Sequence, residues 1–73
     1  MLTKKILVSF LDRNWSPINS GVKMDTLPRR GEYVYMGMKY YEVINVIHSL
    51  DSKHMSCVIV SEVPNETKVK LID

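Results

Sequence analysis

The chain is predicted to be all-β, a small, partly open barrel of five or six short antiparallel strands in a single domain spanning residues 1–73. Three observations lead there. Runs rich in Ile, Val, Tyr and Phe recur with a period of two, and clusters of Gly, Pro, Asn, Asp and Ser separate them. The stretch over residues 27–51, LPRRGEYVYMGMKYYEVINVIHSLD, passes from a Pro-Arg-Arg-Gly turn into two strand-like runs joined by Gly-Met. No segment carries an apolar stripe at helical spacing.

Residues 4–11 form the first expected strand, with Ile6, Val8 and Phe10 on one face and Leu7, Ser9 and Leu11 on the other. Apolar groups on both faces suit a central strand. Residues 12–21 collect Asp, Asn, Ser, Pro and Gly around Trp15 and are expected to be loop. Residues 22–27 form a weak second strand that Pro28 stops, because proline cannot donate to a ladder. Residues 28–31 suit a type I turn with Gly31 at its end.

The third strand covers residues 32–36. Gly37-Met38 suits a two-residue type II′ hairpin turn, which pairs Met36 with Lys39, Tyr35 with Tyr40 and Tyr33 with Glu42. Tyr33, Tyr35 and Tyr40 then share one face, and Val34, Tyr41 and Val43 the other. The strand starting at Tyr40 changes parity between Val43 and Val46, so a bulge near Ile44 and Asn45 is expected to bend it. Residues 55–63 form another strand and residues 67–72 a short last one. A strand set of this kind, one member sharply bent, is that of a Src-homology-3-like barrel. A two-layer sandwich made by dimerisation is the second architecture the pattern allows.

With 73 residues, the domain hides only about 60% of the surface its unfolded chain exposes. Cys57 is the sole cysteine, which excludes an internal disulfide and fits a reducing, cytoplasmic compartment. Apolar residues make up 45% of the chain, enough for a second copy to hide some of them in a homo-oligomer. The apolar run at residues 6–11 ends at Asp12 and Arg13, too short for a secretory signal, and no run reaches the roughly 18 residues of a membrane helix. A formal charge of +2, its cations scattered among acids, dictates no electrostatic partner.

The residues suited to binding are Tyr33, Tyr35 and Tyr40, with Arg29 and Arg30 at the base of their hairpin, and Trp15 in its polar loop. Tyrosine and arginine anchor protein interfaces, and they also stack on bases and clamp phosphates. The bland reading is that tyrosines simply suit strands and paired arginines in a turn are solvated. For Trp15 there are two readings, a lid packed over the open end of the barrel, which its size favours, and an exposed anchor. His48, Asp51, His54 and Cys57 lie near one hairpin, but His48 is expected opposite Met55 rather than His54, so no metal site is expected. Cys57, inside an apolar run, reads as an inert core residue. No paired acids or oriented nucleophile appear, so no catalytic residue and no cofactor are expected, and the chain reads as a non-enzyme.

The pattern of Pro28, Arg29, Arg30, Gly31 and Glu32, followed by Gly37, Tyr41, Val43, Val46, His48, Leu50 and Asp51, resembles a group of small bacterial and bacteriophage proteins that are largely uncharacterised. The resemblance covers about a third of the chain and transfers no site residue. What it implies is context: a compact, non-enzymatic module that binds a host protein as inhibitor or adaptor. Two alternatives stand beside it, single-stranded nucleic-acid binding by the tyrosine and arginine face, and an oligomer that sequesters a small anionic ligand.

Overall fold

The strands that are apolar on both faces lie at the centre of the sheet. A computed structural model describes residues 5–51 and 53–64. In it five strands, β1 (Ile6–Leu11), β2 (Pro17–Met24), β3 (Tyr33–Met36), β4 (Lys39–Ile47) and β5 (Ser56–Glu62), form one sheet in the order β2-β1-β5-β4-β3. The described residues contain no helix, and hence none long and apolar enough to cross a membrane.

The sheet curls into a half-barrel around a core of Val8, Phe10, Tyr41, Val43, Val58 and Val60. Ile6, Val22, Met24, Leu27, Val34, Met36 and Val46 pack against that cluster. The connection between β2 and β3, residues 25–32, runs from one edge strand to the other. Four interstrand spacings are about 19 Å, and a stretched nine-step connection reaches about 30 Å, so these residues suffice to cross from edge to edge. Leu27 in mid-connection lies against the core and ties the crossing down.

The second face of the central strands is also covered in part. Ser9, Leu11 and Ile59 are buried there, whereas Leu7 and Ile47 are exposed. The buried hydroxyls have partners: Ser9 Oγ lies 3.1 Å from Ser20 Oγ, and Ser56 Oγ accepts the Ser49 N–H at 3.0 Å. A buried hydroxyl without a partner would cost about 1–3 kcal/mol.

The predicted hairpin register holds, with Met36 opposite Lys39, Tyr35 opposite Tyr40 and Tyr33 opposite Glu42. The predicted bulge is present too: Val43 faces Val60 and Asn45 faces Ile59, which leaves Ile44 as the extra residue. That insertion returns Val46 to the core side of the sheet.

Four expectations are corrected. The strands are not all antiparallel, because β1 pairs with β5 in parallel, Val8 beside Ser56 and Phe10 beside Val58. The β3-β4-β5 meander sets the direction of β5, and the edge-to-edge crossing before β3 makes that direction the same as that of β1. The expected loop at residues 12–21 shrinks to residues 12–16, and β2 begins at Pro17 and ends at Met24 rather than spanning 22–27. Asp12 makes the compact turn, since its Oδ1 accepts the N–H groups of Asn14 and Ser16 at 2.8 and 2.9 Å. Gly37 and Met38 both have positive φ, 59° and 64°, so their turn is of type I′, whose twist matches the flanking strands. The arginine turn is displaced by one residue: Glu32 donates its N–H to the Arg29 carbonyl at 3.0 Å, with Gly31 at φ 92° in the third position of a type II turn. The expected strand at residues 67–72 lies outside the described residues.

Candidate functional site

Among the described residues, the two edges of the sheet are β2 and β3, and they differ in composition. Strand β3 lies at the sheet's edge, and no described strand pairs with its outer side. Its four residues, Tyr33-Val34-Tyr35-Met36, contain no charge and no proline, two of the devices that ordinarily blunt an edge. The opposite edge, β2, is blunted by Pro17 at its start, by Lys23, and by irregular pairing to β1 around Phe10. The two edges of one sheet therefore differ in availability.

Alternation along β3 sends Val34 and Met36 toward the core and Tyr33 and Tyr35 outward. Tyr33 is 43% and Tyr35 59% exposed. Tyr40 on β4 stands beside Tyr35 with ring centroids 4.8 Å apart and planes tilted by 52°. This geometry lies within the attractive range for aromatic pairs and fixes one ring against the other. Glu42, directly across from Tyr33, brings a carboxylate to the same face. The face is thus aromatic with an acid at its margin.

The structure separates the two arginines from the tyrosines. Arg29 and Arg30 line a cavity of about 420 Å³ with Leu27, Pro28, Asn45, Val46 and His48, and no tyrosine lines it. The Val43 backbone sets this division. Gly31 donates its N–H to the Val43 carbonyl at 2.9 Å, and Val43 donates its own to the Glu32 carbonyl at 2.8 Å. Those two bonds seat the arginine turn against β4 just before the bulge. Glu32 Oε1 also accepts the Arg29 N–H at 2.6 Å.

Trp15 is 60% exposed and does not close the open end as a lid. The cavity at that end, about 330 Å³, is lined by Asp12, Arg13, Asn14, Ile18, Tyr41, Val60, Ser61 and Glu62, without Trp15. Trp15 donates its N–H to the Asp12 carbonyl at 3.0 Å and takes φ 66°, a left-handed conformation that ordinarily belongs to Gly or Asn. Its size suggested burial, but the tight 12–16 turn leaves it at the tip. The left-handed backbone costs about 1–2 kcal/mol, and the exposed ring recovers little of that by burial.

The histidines lie at different cavities. His54 Nδ1 is 3.0 Å from Asp51 Oδ2 in a cavity of about 450 Å³ that Lys5, Lys53 and Met55 also line, whereas His48 lines the arginine cavity. Among the described residues no three His, Cys, Asp or Glu side chains converge on a common point. Cys57 faces away from the core and is half-buried, which corrects its reading as a core residue.

Sequence reasoning missed Asn45 and His48 as neighbours of the arginines, and the contrast between the two edges. The parity change at Ile44 was the signal for the first, and the uncharged Tyr-Val-Tyr-Met run for the second. Comparison of the chain with protein-family models, with curated proteins and with solved structures finds no match in any of the three.

Proposed function

We propose that this protein is a non-enzymatic binding module that takes up an extended segment of another protein along β3, with Tyr33, Tyr35 and Tyr40 supplying the side-chain contacts. The single observation that carries this reading is the uncharged edge strand bearing two exposed tyrosines, beside an opposite edge that is blunted. Adding a strand satisfies the free backbone groups of an edge and presents alternate side chains to the receiving face. Tyrosines at such a face give contact area at low entropic cost, since each has only two rotatable side-chain bonds.

Trp15 and Arg13 belong to this proposal as a separate, exposed contact at the end of the sheet that also holds the Gly37-Met38 turn. The Src-homology-3-like reading belongs to it as well, supported by the curled sheet and the bulged β4, with the parallel β1-β5 pair as a departure. A cytoplasmic host protein bound by an inhibitor or adaptor of bacterial or bacteriophage type remains the biological setting we favour, on the resemblance of residues 28–51. Glu42 beside the tyrosines, and the arginines displaced from them, count against single-stranded nucleic acid as the occupant of this face.

Affinity capture tests the proposal. The tagged protein and its Tyr33→Ala/Tyr35→Ala variant are exposed, after nuclease treatment, to host lysate. A protein retained by the first and lost by the second is expected. Identical recovery by both, with the variant folded, removes the tyrosine edge as the binding surface.

A further inference from the structure

We infer that the cavity between the 28–31 turn and the C-terminal half of β4 is a binding site for a small phosphate monoester. This goes beyond the tyrosine edge and uses none of its residues. Arg29, Arg30, Asn45 and His48 supply the polar lining, and Leu27, Pro28 and Val46 the apolar wall.

Three features point to an anion. First, no carboxylate lines this cavity, whereas the cavity at the Trp15 end includes Asp12 and Glu62 and the one at His54 includes Asp51. Second, both guanidinium groups lack an ion-pair partner among the described residues. The nearest acid in sequence, Glu32, is engaged with the Arg29 backbone through its Oε1. Third, the turn is held before any ligand arrives, by the Glu32 N–H on the Arg29 carbonyl, the Gly31 N–H on the Val43 carbonyl and the Glu32 carboxylate on the Arg29 N–H. A pre-formed turn lowers the ordering cost of binding.

Phosphate fits this donor set better than a carboxylate does. One guanidinium fork satisfies the two oxygens of a carboxylate, but two arginines with an imidazole and an amide can engage the three terminal oxygens of a phosphate monoester. The organic remainder of the ester then lies along Leu27, Pro28 and Val46. A volume of about 420 Å³ is within the range of small-molecule sites and admits a phosphate with one ring attached.

The test is an amide NMR titration of the whole protein with inorganic phosphate, phenyl phosphate and benzoate at constant ionic strength. Localised shifts at Gly31, Glu32, Asn45 and Val46 are expected, with phenyl phosphate binding most tightly and benzoate most weakly. Arg29→Ala/Arg30→Ala should lower phenyl phosphate affinity by roughly tenfold or more, while the amides of β1 and β5 keep their positions and report an intact fold. Tyr35→Ala should leave it unchanged, so that failure here and failure of the edge-strand reading are told apart. Shifts absent at millimolar ligand, equal for benzoate and phenyl phosphate, or retained in the folded double variant would each overturn the inference.

Discussion

Tyr35 and Tyr40 face each other across the β3-β4 hairpin with their ring centroids 4.8 Å apart, so the exposed edge strand carries an aromatic surface whose geometry its neighbour fixes. This pairing separates two roles of one residue. The ring-on-ring contact supports the hairpin, and the outward part of Tyr35, 59% exposed, is where the proposed partner would meet it. Tyr35→Ala should cost only about 0.5–1.5 kcal/mol of stability, the value of an aromatic pair, while weakening partner binding by about 2 kcal/mol or more, as an interface anchor does. Parallel thermal melts and binding assays check the split. A loss of stability that matches or exceeds the loss of binding would make Tyr35 a structural residue.

Trp15→Gly should raise stability. Relief of the left-handed backbone is worth about 1–2 kcal/mol, and the greater freedom of glycine in the unfolded chain returns about 0.5–1 kcal/mol of it. The net gain is about 0.5–1 kcal/mol, a rise in Tm of a few degrees for a domain of this size. A thermal melt decides the matter, and a lower Tm would mean that the Trp15 ring contributes packing despite its exposure.

Met38→Gly follows the same logic at the other hairpin. Met38 is 82% exposed with φ 64°, and the type I′ turn accommodates glycine there without strain. An increase of about 0.5–1 kcal/mol is expected from denaturant unfolding with an unchanged slope. No gain would place compensating contacts on the Met38 side chain.

Deletion of Ile44 should destabilise the fold by about 2.5–4.5 kcal/mol. Without the extra residue, the β4 segment beyond Val43 flips, turning Val46 away from the core and Asn45 toward it. An unpartnered buried amide costs about 1–3 kcal/mol and the lost valine burial about 1.5 kcal/mol or more, against a total stability of about 4–11 kcal/mol for 73 residues. Circular dichroism should show a thermal transition lowered by about 10 °C or more. A deletion variant that melts cooperatively near the parent temperature would show that the bulge is dispensable.

The hairpin and its bulge were legible because their signals are local. A two-residue turn sets the register of Tyr33, Tyr35 and Tyr40, and the parity change between Val43 and Val46 demands one extra residue. Alternation reports which face a side chain takes, but not which strand lies beside it. The parallel pairing of β1 with β5 was therefore hidden, although apolar groups on both faces of β1 marked that strand as central. The separation of Arg29 and Arg30 from the tyrosines was hidden for a related reason, since it depends on Val43 directing both backbone groups to Gly31 and Glu32. Of the two readings of Trp15, size favours the lid, whereas the Asp12 carboxylate closes a turn so tight that the ring is left exposed at its tip.

Site-specific photocrosslinking tests the central claim most directly. A photoreactive phenylalanine analogue is placed at Tyr35 on the open edge, and in a second protein at Lys23 on the blunted edge, and each is irradiated in host lysate after nuclease treatment. The expected result is a discrete protein adduct from position 35 and none from position 23. Adducts from position 23 alone, or equal adducts from both, would contradict binding along β3.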